Sequence, residues 1–426
     1  MSLPQTKVEI AFDLSQVVPD FFTLDDAVRG VLSGGTVTSI YPLAGDILQD
    51  VSEDVRSVSI SRGRSRELEQ YRVGQASVVL DNRDRNYDPT DLGTPYLGQI
   101  QPRKEVRLVV GNNVVFNGVV EDWSFDYDVG GDSTTSVSAV DGFSLLARQD
   151  IGGFSQGTAT TNERIDAVLD ASGVAFPPAK RDLASSSLVL AAGTVADNTN
   201  ALAYLQQIEQ VESGDFFIAA NGLVTFKTRQ PGIDDAAYDA AVDYDDATTD
   251  YAYPPPALTS NVVFTDQPQG VVTVGSATEI RVPYVGIGME LGMDQVRNLV
   301  TVTHGTATFT EQNLDSQDAY GVVSLQLNAD LLHSSSDAED LAEYLVQRYQ
   351  QPVVRFNQVT VDLSGVQTAQ VASLLELDLT DVVRVRFKPN GVNARVERIA
   401  TVEGVEHQVT PGRHRVTFRF SAAPGS

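Results

Sequence analysis

Apolar residues along this chain alternate with polar ones more often than they recur at helical spacing, most plainly in its first third. Val8, Ile10 and Phe12 alternate with polar neighbours across Lys7–Leu14, the period-two pattern of a strand buried on one face. Ala76, Val78 and Leu80 do the same within Gln75–Asp81, and Val58–Ser61 reads as another strand. Val106–Val110 and Val114–Asn117 flank Gly111-Asn112-Asn113, a hairpin signal, and the pattern continues through Val119–Phe125 and Ser133–Val140. A short strand is also expected at Thr36–Tyr41, between Gly34-Gly35 and Pro42. Residues 1–149 thus predict a β-barrel or sandwich with little helix.

The period then changes. Thr160 with Glu163 forms a capping-box signature before Ile165, Val168 and Leu169, with Gly173 as the stop. Thr199–Glu212 places Leu202, Leu205 and Ile208 on one helical face, and Asn221-Gly222 between Phe216–Ala219 and Leu223–Lys227 predicts a type I′ hairpin. Residues 150–230 therefore read as a small α+β unit. Pro254-Pro255-Pro256 enforces an extended segment, after which strands are expected at Ser260–Thr265, Gly270–Val274, Glu279–Pro283 and Leu299–Thr303. Ser336 with Glu339 predicts the cap of a helix carrying Leu341, Tyr344, Leu345 and Arg348, stopped by Pro352. The strand pattern returns in Val353–Leu363, Asp381–Phe387, Ala394–Glu403 and Arg413–Phe420, with turns at Asn390-Gly391 and Pro411-Gly412. The expected organisation is a β unit at 1–149, an α+β unit at 150–230, an acidic strand-rich unit ending in a helix at 231–352, and a second β unit at 353–426. No sequence repeat links the two β units.

With 426 residues, 42% hydrophobic and 20% charged, the chain has the composition of a foldable protein of several domains. It contains no cysteine, which excludes disulfide frameworks, zinc knuckles and thiol catalysis. The first residues lack a basic region followed by an apolar core, and no apolar run approaches the ~18 residues of a membrane helix. A soluble product of the cytoplasm is expected, with no stable membrane insertion. The net charge of −27 argues against a broad nucleic-acid grip. Charge is uneven: residues 51–110 hold 10 basic and 9 acidic residues, whereas 231–343 hold only Arg281 and Arg297 against 19 acidic ones. That acidic middle is either a solubilising surface or a wall that repels DNA.

Catalytic and metal chemistry find little support. His304, His333, His407 and His414 lack ligand spacing, although His407 and His414 flank Pro411-Gly412 and are expected to meet as an exposed pair across a hairpin. Asp81, Asp84 and Asp88 could hold calcium, but Arg83 and Arg85 sit among them and compensate their charge. The cluster Asp234-Asp235, Asp243, Asp245-Asp246 reads as a solvated acidic loop. Val274-Gly275-Ser276-Ala277 matches only half of a Gly-x-Ser-x-Gly nucleophile elbow. Acidic pairs for glycosidase chemistry can be drawn anywhere among 57 carboxylates, so their number carries no information. No catalytic residue, metal or cofactor is expected.

The most distinctive stretch is VSISRGRSRELEQYRVGQASVVLDNRDRNYDP, from Val58 to Pro89. Arg62, Arg64 and Arg66 alternate, so an extended backbone would project them to one side. They are either a solvated edge that discourages strand pairing or ion-pairing groups for acids of a neighbouring subunit. Together with Arg72, Arg83 and Arg85 they are the candidate subunit-interface residues.

This stretch, followed by Pro95-Tyr96, Ile100, Pro102 and Val106-Arg107, resembles the minor tail proteins of actinobacterial long-tailed (siphovirus-type) bacteriophages, which are similar to tail-hub proteins. The resemblance extends to Ala201–Arg229, with its GDFFIAANGLVTFKTR, and to Asp318–Leu325, Asp337–Tyr349 and Pro352–Leu363. Residues 15–50 and 230–298 match nothing in that family. What the resemblance implies is a mainly β fold: two tube-like β-barrel domains flanking a small α+β domain and a strand-rich domain. It further implies a non-enzymatic virion protein at the tail tip, a homotrimeric baseplate hub adapting a sixfold tube to a threefold tip. Its partners would be the distal tail protein, the tape-measure protein and tip fibre or spike proteins, with DNA only in transit. Alternatives are a sixfold distal-tail ring protein and a receptor- or carbohydrate-binding tail protein, the latter disfavoured by a single tryptophan, Trp123.

Overall fold

A computed structural model describes residues 3–12, 47–229, 258–274, 277–389 and 396–422. The strand expected at Thr36–Tyr41, Pro254–Pro256, the Asn390-Gly391 turn, Gly275-Ser276 and the acidic cluster Asp234–Asp246 lie outside them.

The chain begins with strands β1 (Thr6–Phe12), β2 (Ile47–Asp50), β3 (Val55–Gly63), β4 (Arg72–Asp81), β5 (Glu105–Val110), β6 (Asn113–Asp126) and β7 (Thr134–Val140). Helices α1 (Gly142–Leu146), α2 (Thr161–Asp170) and α3 (Ala201–Glu212) follow, with β8 (Arg181–Leu183), β9 (Asp215–Ile218) and β10 (Val224–Lys227) as a small sheet. Next come β11 (Val262–Thr265), β12 (Gly270–Val274), β13 (Ala277–Pro283) and β14 (Gly286–Glu290). A second small sheet is formed by β15 (Leu299–His304), β16 (Ala307–Gln312) and β17 (Ser324–Asn328), with α4 (Leu314–Tyr320) and α5 (Ser335–Tyr349) beside it. The chain closes with β18 (Arg355–Asp362), α6 (Thr368–Leu375), β19 (Val382–Phe387), β20 (Val396–Thr410) and β21 (Arg413–Ala422). The fold is mainly β, as expected. Among the described residues no helix is long and apolar enough to cross a membrane.

Among the described residues fifteen strands form one hydrogen-bonded sheet, and its topology is that of two units built alike. The N-terminal unit runs β2-β1-β5-β6-β7-β4-β3, and the C-terminal unit runs β12-β13-β11-β19-β20-β21-β18-β14. From β1 and β11 onward the two orders correspond strand for strand. One departure is that β1 meets β5 antiparallel while β11 meets β19 in parallel. Strands β11 to β14 thus belong to the last sheet, although the sequence pattern groups them with the acidic segment. The two units join where the outer edge of β3 pairs antiparallel with the second half of β20, from Gly404↔Gly63 to Val409↔Val58.

The core follows from the alternation: Val58, Ile60, Ala76, Val78, Leu80, Val137 and Ala139 are all buried. Each Val, Leu or Ile side chain so removed from water contributes about 1.5–3 kcal/mol. Local signals account for most ends. The Thr160–Glu163 capping box forms, Asn200 caps α3 through Ala203 N–H, and Ser334, rather than Ser336, caps α5. At Asn221-Gly222 only Gly222 takes a positive φ, +86°. A type I′ turn needs two such residues, so this hairpin uses a glycine bulge instead.

Candidate functional site

The Arg-rich connection between β3 and β4 lies where the two β units, the central α+β unit and helix α5 meet. Arg64 Nε donates to Glu403 Oε2 at 2.6 Å, and Arg64 Nη2 donates to Asp215 Oδ1 at 2.9 Å. One guanidinium thereby ties β3 to β20 and to the central α+β unit. The Tyr71 ring lies 4.3 Å below it, and the Tyr71 hydroxyl reaches Asp215 and Glu403 at 3.3 and 3.4 Å. Ser421 Oγ donates to the other Glu403 oxygen at 2.5 Å. Burial works against the Arg64 charge, but Glu403, Tyr71 and Asp215 hold its pKa well above the ordinary value. Burial pushes the Tyr71 hydroxyl and the Asp215 carboxyl up.

Beside Arg64, Glu67 pairs with the buried Arg348 of α5, whose Nε also donates to Tyr349 Oη at 3.0 Å. These groups line a cleft of ≈ 200 Å³ that also touches Glu209 and Tyr344. Glu209 Oε1 accepts from Phe216 N–H at 3.0 Å, yet burial pushes this carboxyl up to about 8. It is a proton-holding acid at neutral pH.

The structure separates the six sequence candidates. Arg62 is 5% exposed and donates through Nη2 to Asp378 Oδ1 at 2.8 Å, while its Nε and Nη1 are buried without a partner. Asp378 in turn accepts from Ala220 N–H at 2.7 Å. Arg62 and Arg64 therefore do not line a shared outer edge with Arg66. Both point into the joint between the β units, because pairing of β3 with β20 closes over them. Arg66 pairs with Asp294 at 2.8 Å with both side chains nearly half exposed. Arg72 lies on the surface against Glu69 at 2.9 Å. Arg83 Nε bonds both Asp81 oxygens at 3.0 and 2.9 Å, and Arg85 Nη2 bonds Asp88 Oδ2 at 2.7 Å. Thr90 and Arg85 hold the Asp88 carboxyl well below the usual range, so it is already satisfied by its own loop.

His407 and His414 do meet, Nδ1 to Nε2 at 3.1 Å, but they are buried at 3% and 1% exposure instead of exposed. His407 lies opposite Ile60 in the β3–β20 pairing, and His414 lies on β21 opposite Val409. Burial, His414 and Arg62 hold His407 well below its ordinary pKa, and burial lowers His414 to about 4. Among the described residues no three His, Asp or Glu side chains are grouped to hold a metal.

Sequence reading missed Glu403, Asp215 and Asp378, the acids that the arginines meet. They lie 339, 151 and 316 residues from their partners. The one local signal was Glu403 itself, an acid inside the apolar run Ala400–Val405.

No family model matches the chain, and no curated protein sequence matches it. Solved structures do. The tail protein from Neisseria meningitidis MC58 aligns with a TM-score of 0.53 at 10% identity, covering 88% of this chain and 93% of that one. The 43 kDa tail protein of prophage MuSo2 from Shewanella oneidensis aligns with a TM-score of 0.53 at 12% identity, covering 89% and 96%. At such identities the likeness is one of fold, which this chain shares over 88% and 89% of its length with those two tail proteins.

Proposed function

We propose that this chain is a structural subunit of a bacteriophage tail, working at the tail tip as a hub. The observation that carries the reading is a doubled architecture. One chain holds two β units of corresponding strand order, in a fold shared over nearly its whole length with two tail proteins. A homotrimer of such chains presents six similar β units on one side and three copies of the rest on the other. That is the geometry needed to join a sixfold tube to a threefold tip.

On this reading the work is mechanical: the ring continues the tube, passes the DNA and carries the tip. Its neighbours would be the distal tail protein, the tape-measure protein and tip fibre or spike proteins of a long-tailed phage. No catalysis is assigned to it. The buried Arg64–Glu403–Asp215 cluster serves by locking the two β units and the α+β unit at one relative angle, since a ring tolerates little play between adjacent units. Arg66, Arg72, Arg83 and Arg85 remain on the surface as candidates for contacts with neighbouring chains.

The test is a cryo-EM reconstruction of the tail tip refined without imposed symmetry. Three copies forming a ring of six β units below the tube would support the hub. Six copies would make the chain a distal-tail ring, and a position on peripheral appendages would make it an adhesin.

A further inference from the structure

The two β units correspond in detail as well as in strand order. In the N-terminal unit, Arg103 N–H donates to Val120 O and Val120 N–H donates to Lys104 O, at 2.7 and 2.8 Å. In the C-terminal unit, Thr380 N–H donates to Val402 O and Val402 N–H to Asp381 O, again at 2.7 and 2.8 Å. Arg103 and Thr380 are both left-handed, at φ 72° and 70°. Bulges follow at the same place, between Val120 and Asp122 in β6 and between Val402 and Gly404 in β20. These landmarks align Trp123 with Val405. Registers carried across the sheets then align Val137 with Phe418, Val78 with Val359, and Val58 with Ile287. Strand β14 is therefore the counterpart of β3, and the end of β6 is the counterpart of the end of β20.

Those counterparts differ in one respect. The outer edge of β3 is paired with the end of β20, whereas among the described residues no strand pairs the outer edge of β14 or the matching edge of β6 after Val120. Side chains record the difference. Ile60 and Arg62 of β3 are 2% and 5% exposed, while their counterparts Met289 and Leu291 are 44% and 63% exposed. An apolar stripe on an unpaired strand edge is a template for strand addition.

We infer that the free edge of β14 in one copy of this chain pairs antiparallel with the free end of β6 in the next, repeating between chains the joint that β3 and β20 make within one. The intrachain register transfers directly. It sets Ile287 opposite Tyr127, Met289 opposite Phe125, Leu291 opposite Trp123 and Gly292 opposite Asp122. Each apolar residue of one strand thus meets an aromatic one of the other, a favourable cross-strand pairing. Gly292 falls where Gly63 stands, the position at which the incoming strand passes closest to the bulge, with Glu403 O only 2.2 Å from where a Cβ would lie. The contact is head-to-tail, using β14 on one flank and β6 on the other, so successive copies close into a ring with two β units per chain. This inference rests on the ring reading above and names its joint.

Cysteine cross-linking tests it without background, because the chain has no cysteine of its own. Glu290 and Ser124 are opposed in the transferred register, as Ser61 and Glu406 are within the chain. Oxidised full-length chain carrying E290C and S124C should run as a ladder ending in a closed species and collapse on reduction. Mixed single variants should give one dimer band, and neither single variant should cross-link alone. The S61C/E406C chain, as geometric control, should form only an intrachain bond. Adding M289D and L291D should abolish the ladder without moving the melting midpoint of the monomer. Cross-linking of E290C with itself, or no ladder while the control pair forms, overturns the inference. Rings seen by microscopy without the cross-link would remove this joint and leave the hub reading standing. A chain that stays monomeric by both methods would remove both.

Discussion

Removing the Arg64 guanidinium would strand two carboxylates, one of them, Glu403, only 1% exposed. Breaking a buried pair in this way costs about 3–5 kcal/mol, because the remaining charge is left without compensation. Arg64→Ala should accordingly lower the denaturant midpoint steeply. Arg72→Ala, at a side chain 67% exposed, should change stability by no more than about 0.5 kcal/mol. Equal effects from the two would mean that the cluster does not hold the units together. Arg62→Ala belongs with Arg64→Ala, so replacing either one tests folding, whereas Arg66→Ala, at an exposed ion pair, probes assembly. Proton linkage gives a second residue-level prediction. The folded state holds Glu209's proton up to about pH 8, while the unfolded chain releases it near its ordinary value of 4.5. Stability from this group is complete below the lower value and is lost as pH rises through the window. His414 acts in the opposite sense: the unfolded chain binds its proton first, so stability is lost as pH falls from about 6.5 towards 4, and the lowered pKa of His407 works in the same direction. Melting midpoints measured against pH should therefore fall off on both sides. Glu209→Gln should flatten the alkaline side and His414→Gln the acid side. A profile unchanged by Glu209→Gln would rule out its raised pKa.

At the scale of elements, the joint between the units depends on one strand that bends. The first half of β20 pairs with β19 and its second half with β3, while β21 follows its other edge. The bulge at Glu403 makes room for this, and Gly63 is the residue that fits against it, at φ +97°. A methyl group there would overlap Glu403 O and lie 2.7 Å from Gly404 Cα, both backbone atoms that cannot swing aside. Gly63→Ala should therefore destabilise the protein by more than the ~1 kcal/mol typical of point mutations, seen as a lower melting midpoint with early loss of the joint by hydrogen exchange at Glu406–Val409. Gly98→Ala, also at positive φ but with open space around it, isolates the backbone strain alone. The same bend explains why strand pattern alone stopped at Glu403: a charged residue and then glycine read as an end, yet the strand runs on to Thr410. Strand β14 escaped notice for a related reason. In Val285–Met293 glycine occupies three of the polar positions, and glycine reads as punctuation until a neighbouring strand pairs with it.

At the scale of the whole molecule, the 291–354 segment is inserted between β14 and β18, where the N-terminal unit has only the Arg-rich connection between β3 and β4. The two insertions then meet each other, through Arg66 with Asp294 and Glu67 with Arg348. If copies associate through β14 and β6, folding and assembly are coupled by mass action, so the melting midpoint should rise with protein concentration. M289D with L291D should remove that dependence and leave the dilute-limit midpoint in place. Scanning calorimetry over a hundredfold dilution reads both, and a parent midpoint independent of concentration would argue against association.

What the sequence determined by itself was local. Period-two alternation placed most strands, the Thr160–Glu163 box placed a helix start, and mainly β architecture followed from their sum, because each of these depends on neighbours a few residues away. The order RGRSRELEQYRVGQASVVLDNRDRNYDP likewise drew attention to the connection at which the units meet. Tertiary structure alone decided what that connection does. Whether an arginine faces solvent or a carboxylate hundreds of residues away depends on which strand covers it, and β20 covers Arg62 and Arg64. The twofold repeat of the β units was hidden for the same reason. Strand order and register are conserved by backbone hydrogen bonds and a bulge, which impose a geometry on the chain without requiring the same side chains twice.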